Sequence, residues 1–140
     1  TFMGLSSLKK LYLTDNLLLE INPAWFADTQ NLEELDMSGY NRSQVGSLYQ
    51  NNFSTLVKLQ SLNLRRIGIN DIEVGTFNNL SNLEDLNLSY NNLIDLPENW
   101  MQGLINIQEI NLRGNNFDTN TKERIKNEIM DQFPNVQLSI

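Results

Sequence analysis

The chain has 140 residues, 40% of them apolar, and sets 10 basic side chains against 17 acidic ones for a formal net charge of −7. That is enough apolar matter for one packed domain and too much for a disordered chain, while the acidic balance argues against a general binder of nucleic acid or anionic membrane, which needs clustered Lys and Arg. Cysteine and histidine are both absent, which removes disulfides, Cys or His metal sites, thiol nucleophiles and Ser-His catalysis together, and no apolar run reaches membrane-spanning length.

Phe2, Leu5 and Leu8 have the spacing of Phe77, Leu80 and Leu83, so the chain is expected to open inside a repeat, with residues 1–7 its second half. Complete units then start at Leu8, Leu32, Leu59, Leu83 and Ile107, with a degenerate one at Phe133. Successive starts differ by 24, 27, 24, 24 and 26 residues. In the unit LEDLNLSYNNL, Leu86 and Leu88 alternate with Asn87 and Ser89. A short strand there has an apolar and a polar face. Asn91 follows where the chain must turn, and its amide can serve backbone groups as donor and acceptor. Asn16 and Asn115 hold the same place, whereas Tyr40 and Ile67 break the column. The 27-residue interval marks an insertion within GYNRSQ, residues 39–44, because Val45, Leu48 and Phe53 repeat the spacing of Ile69, Ile72 and Phe77.

After Phe117 the period changes. Ile125, Ile129 and Phe133 recur at steps of four among charged residues, the pattern of an amphipathic helix. Asp118, Thr119 or Thr121 is placed to cap its start, and Pro134 to stop it. Its basic face is too weak for a lipid-binding helix.

The pattern LxxLxLxxNxL, with FNNLSNLEDLNLSYNNLIDLP its fullest instance, resembles the leucine-rich repeat, in its type of roughly 24 residues. The resemblance implies an α/β architecture. This is a right-handed solenoid with a parallel sheet on its concave face, loops and short helical turns on the convex face, and a C-terminal capping helix of the bacterial or cytosolic kind. Residues 1–140 are then a single, N-terminally incomplete domain: 1–7 a partial repeat, 8–118 the repeats with an insertion near 39–44, and 119–140 the cap. The family resemblance also implies protein–protein recognition, as receptor, adaptor, inhibitor or secreted bacterial effector.

On the exposed strand face one edge is acidic, through Glu33, Glu34, Asp36, Glu84, Asp85 and Glu109, and the other holds Arg65, Arg66 and Arg113 with Tyr40 and Tyr90. Tyr and Arg are enriched where protein interfaces concentrate their energy. The candidate partner-binding residues are therefore Tyr12, Asp36, Tyr40, Arg42, Arg65, Arg66, Tyr90 and Arg113, with Asp36 as a charge partner in the patch and the insertion as a raised recognition loop. Pairing of Arg65 and Arg66 with Asp36, Asp85 or the insertion, merely for solubility, is the plainer alternative. Asn63, Asn87 and Asn111 form a mid-face column that either presents amides to a peptide or sugar or bonds to itself and water. Four Asn-X-Ser sequons, at Asn41, Asn52, Asn79 and Asn87, arise readily from so much asparagine and serine and carry little meaning.

A solvated sheet face cannot separate the pKa values of carboxylates such as Glu34 and Asp36, which argues against an enzyme. The reading is a module that binds another protein, with no catalytic residues, no cofactor, no metal, no nucleic acid and no membrane insertion. A structural spacer supporting other domains and a carbohydrate-binding or calcium-binding face are the alternatives. A chain free of cysteine is compatible both with the cytoplasm and with a bacterial secreted or surface protein.

Overall fold

Each repeat contributes only three residues of strand to the main sheet, too few to be stable alone. The computed structural model, which describes residues 2–40 and 43–140, shows how stacking solves this. The strands are β1 (Lys10–Tyr12), β2 (Glu34–Asp36), β3 (Gly46–Leu48), β4 (Ser61–Asn63), β5 (Ile69–Ile72), β6 (Asp85–Asn87), β7 (Glu109–Asn111) and β8 (Gln137–Ser139). One parallel sheet runs in the order β1-β2-β4-β6-β7-β8. Its register aligns Leu11, Leu35, Leu62, Leu86, Ile110 and Leu138 in adjoining strands. Leu35, Leu62, Leu86 and Ile110 are buried, as is the parallel row of Met37, Leu64, Leu88 and Leu112. Each such side chain stabilises the fold by roughly 1.5–3 kcal/mol, so the core is a sum of similar layers.

The degenerate sixth unit forms β8. The helix α1 spans Thr119–Gln132, and Asp118 caps it by accepting from Thr121 N at 2.7 Å. Ile125 and Ile129 are fully buried. Arg124 fastens this cap to the fourth repeat through Asp95 and the Leu96 carbonyl, and Glu128 accepts from Asn99 N.

The returning side was expected to hold loops and short helical turns. It carries one 3₁₀ turn at Pro23–Phe26 and also a second parallel sheet of β3 and β5. Leu48 pairs with Ile72, and the register shifts beside Gly46. The matching spacing of Val45 and Leu48 with Ile69 and Ile72 gives no sign of this pairing. The backbones pair from Val45 N to the Ile67 carbonyl and from Gly46 N to the Gly68 carbonyl onward. A Cβ at Gly68 would fall 2.5 Å from the Ser43 carbonyl oxygen, so glycine is required there. Farther along, Phe53 stacks on Phe77 and Phe77 meets Trp100 edge-on. Trp100 is buried and Trp25 half-buried.

Asparagines tie the turns together. Asn91 Nδ2 donates to the Leu64 and Leu88 carbonyls at 2.9 Å, and its Oδ1 accepts from Ile67 N and Ile69 N at 3.1 Å. Asn115 acts likewise toward Leu88, Leu112 and Leu93. Asn16 keeps only bonds to its own turn and is exposed. A second asparagine column had gone unread: Asn31, Asn82 and Asn106 donate to the Ser6, Val57 and Ser81 carbonyls of the preceding repeat. Its signal was the asparagine directly before Leu32, Leu83 and Ile107.

Replacing Asn91 by Ala strands several buried backbone groups at once. The expected loss is roughly 1–3 kcal/mol in urea unfolding. A change of only a few tenths would show that the turn does not depend on this amide.

Candidate interaction face

As each strand of the main sheet ends, the chain turns away from it, and the same side-chain position directs the turn. Asp36 Oδ1 accepts from Ser38 N, Asn63 Oδ1 from Arg65 N, Asn87 Oδ1 from Ser89 N, and Asn111 Oδ1 from Arg113 N, at 2.8 to 3.2 Å. These are Asx turns. The mid-face asparagines therefore use their carbonyls to shape the backbone, and Asn63 spends its Nδ2 on Asp36 Oδ2.

Three residues beyond the Asx position, the backbone enters the left-handed region at Arg66 (φ 57°), Tyr90 (φ 57°) and Gly114 (φ 74°). For a residue with a Cβ this costs about 1–2 kcal/mol. The next repeat holds the conformation: Arg66 N donates to the Ser89 carbonyl at 3.2 Å, and Tyr90 N to the Arg113 carbonyl at 2.7 Å.

The consequence is a stack at the sheet edge. The guanidinium carbons of Arg65 and Arg66 lie 4.9 and 4.8 Å from the centroid of the Tyr90 ring, within the range of cation–π attraction. The ring is backed by Gly114, where a Cβ would come within 2.6 Å of Tyr90 Cδ1. Ion pairs among the described residues are Lys9–Glu33, Lys10–Glu34, Arg124–Asp95 and Arg124–Glu128. Arg65, Arg66 and Arg113 are in none of them. Arg66 Nε is buried without a hydrogen-bond partner.

The structure thus brings Arg65, Arg66 and Tyr90 together and corrects the role expected of Asp36. Its two oxygens are engaged by Ser38 N and Asn63, because its place in the strand makes it the Asx residue of its repeat. It forms no ion pair with Arg65, Arg66 or Arg113. Tyr40 is 73% exposed and lines a separate recess with Asp15, Leu17 and Ser43. Arg113 is exposed one repeat on. Tyr12 donates to Glu34 Oε1 at 2.7 Å on the first two strands. Arg42 lies outside the described residues, as does the sequon asparagine Asn41. Asn52, another sequon residue, is buried and bonded to Ile21 and Tyr49.

Sequence reasoning missed Ser43. Its hydroxyl accepts from Leu18 N and donates to the Asn16 carbonyl, both at 3.0 Å, so it stands in for the asparagine that Tyr40 was taken to replace. The signal was present: Ser43 precedes Val45 by two residues, as Asn91 precedes Leu93. Counting back from the returning residue, instead of forward from the strand, finds it.

The family model for leucine rich repeats matches residues 1–42 and 57–117. The chain belongs to the leucine-rich repeat family. Among solved structures, this leucine-rich repeat chain is similar to one in the crystal structure of a TLR13–ssRNA13 complex, at 32% identity and TM-score 0.78, over 86% of this chain and 16% of that one. It is also similar to a leucine-rich repeat protein of Leptospira interrogans, at 25% identity and TM-score 0.77, over 97% of this chain and 32% of that one. It therefore spans a third or less of either. A comparison with curated proteins gives no match.

At the other end of the sheet face, Lys10 and then Tyr12 hold the Glu34 carboxyl below its ordinary pKa by hydrogen bonding, and Glu34 raises both Lys10 and Tyr12. A depressed carboxylate stabilises the fold above its unfolded pKa of about 4.3, and that contribution fades as pH falls through the lower folded value. The group is solvated, so the effect on stability is small. The titration itself is the sharper readout: by carboxyl NMR, Lys10→Met is expected to move the Glu34 midpoint upward. An unmoved midpoint would dismiss the ion pair.

Proposed function

We propose that this leucine-rich repeat chain is a non-catalytic module that binds another protein through the face of its six-stranded sheet, at the edge beside the insertion. The observation that carries this reading is the Arg65–Tyr90–Arg66 stack. In a chain with net charge −7, two adjacent guanidinium groups without a carboxylate partner are gathered on one half-exposed ring. Tyr and Arg are the side chains that most often anchor protein interfaces. The stack sits on hydrogen-bonded turns, so little ordering remains for binding to supply. Tyr40 and Arg113 extend the surface, and Ser43 and Gln44 line a recess together with Arg66 and Tyr90.

A structural spacer places no demand on these arginines. A carbohydrate face would centre on the shallow mid-face recess at Asn87 and Asn111, whose carbonyls are already committed to the turns. RNA recognition, after the neighbour from the ssRNA13 complex, is disfavoured by Asp85 and Glu109 in that same recess and by the net charge.

The test is affinity capture with the intact chain and with the double variant Arg65→Glu, Arg66→Glu, whose fold is checked by circular dichroism. A protein retained by the first and lost by at least tenfold with the second is expected. Equal capture by both would move the site elsewhere, and equal capture by every charge-reversed face would favour the spacer.

A further inference from the structure

The stack borders a cleft of about 350 Å³ between the end of the insertion and the turns of the third to fifth repeats. Arg66 and Tyr90 line it together with Ser43, Gln44, Asn92 and Asn116. In a chain with 17 acidic residues, no acidic residue lines it. Its lining instead holds a guanidinium, four side-chain amides and two hydroxyls, of which Asn91 and Ser43 are already bonded to backbone. Arg66 Nε is buried with nothing to donate to. An unused charged donor inside protein is costly, so this guanidinium is short of acceptors at the cleft wall.

We propose that this cleft is a carboxylate subsite that receives an Asp or Glu side chain from an extended acidic segment of the protein partner. The inference rests on the reading above and names the partner's chemistry. Arg recognises a carboxylate through two parallel N–H donors. Tyr90 and Gly114 fix the plane of the guanidinium, and the amides of Asn92 and Asn116 are on hand for the peptide backbone. The cleft is large enough for one acidic side chain with its adjoining backbone, and too small for a folded element.

The probe is the peptide acetyl-Gly-Glu-Glu-Gly-amide, compared with its Gln-Gln twin, added to the intact chain labelled with ¹⁵N. Both ends are blocked, so only the side chains carry charge. The Arg66 Nε–H resonance is expected to shift downfield and saturate with the Glu peptide, and to respond at least fivefold less to the Gln peptide. Arg66→Gln should abolish the response of the Asn92 and Asn116 amides, whereas Lys58→Gln, on the opposite side, should leave it intact. Equal shifts with both peptides, or no shift at Arg66 with either, overturns the proposal. A single-stranded oligouridylate that shifts Arg66 where the Glu peptide does not would overturn it in favour of phosphate. If capture still depends on Arg65 and Arg66 while the peptides give nothing, the subsite fails and the interaction face stands. If capture is also indifferent to them, both fail.

Discussion

Backbone hydrogen bonding between neighbouring repeats is the constraint from which the rest of this structure follows. A three-residue strand leaves nearly every polar group in want of a partner, and buried polar groups must be paired. The ladder therefore continues past the strands: Leu64 N donates to the Asn87 carbonyl, Leu88 N to Asn111 and Leu112 N to Ser139. Beyond that the asparagine and serine side chains take over. Leucine layers supply the driving force, but these bonds set the distance and register at which layers meet. Asn91, with contacts to four backbone groups in two repeats, is the clearest example.

The interaction face inherits its order from that scaffold. Asn63 and Asn111 aim the backbones of Arg65 and Arg113, and the next repeat clamps Arg66 and Tyr90 in a conformation they would not choose alone. Backbone strain at non-glycine residues persists only where surroundings over-determine it. Here the surroundings are the ladder itself. The same left-handed site is occupied by Asp15 in the first repeat and by Gly114 in the fifth. It tolerates many side chains, so its occupants are free to vary without changing the fold.

This division explains what was legible in the sequence. The strands of the main sheet, the buried rows and the C-terminal helix all follow from apolar spacing, which burial enforces residue by residue. The pairing of β3 with β5 was not legible, since Val45, Leu48, Ile69 and Ile72 look the same whether or not their backbones pair. Ser43 was hidden because the insertion displaced it from its expected count. The role of Asp36 was misread because charge was weighed before position: an Asx turn has first claim on a carboxylate at that place in the strand. Arg65, Arg66 and Tyr90 were legible as residue types on one edge. Their convergence on one ring depends on Gly114, a repeat away, and on φ angles that spacing does not encode.

Parallel stacking also limits how charge can be arranged. Equivalent positions form columns about 4.8 Å apart, so repeated sequence tends to set like charges side by side. Asp85 and Glu109 are neighbours in register, an arrangement that is unfavourable in a sheet. Ser61 interrupts the row between Glu34 and Asp85, and Lys10 neutralises Glu34 at its end. On the opposite edge the arginines have no such relief from carboxylates. The Tyr90 ring offsets part of their repulsion, yet Arg66 Nε stays unpaired. A surface selected only to stay folded and soluble would interleave the two signs across the face, as Lys10 and Glu34 do on the first two strands. Segregating acid to one edge and arginine to the other therefore costs stability, a cost that stacking on Tyr90 offsets only in part.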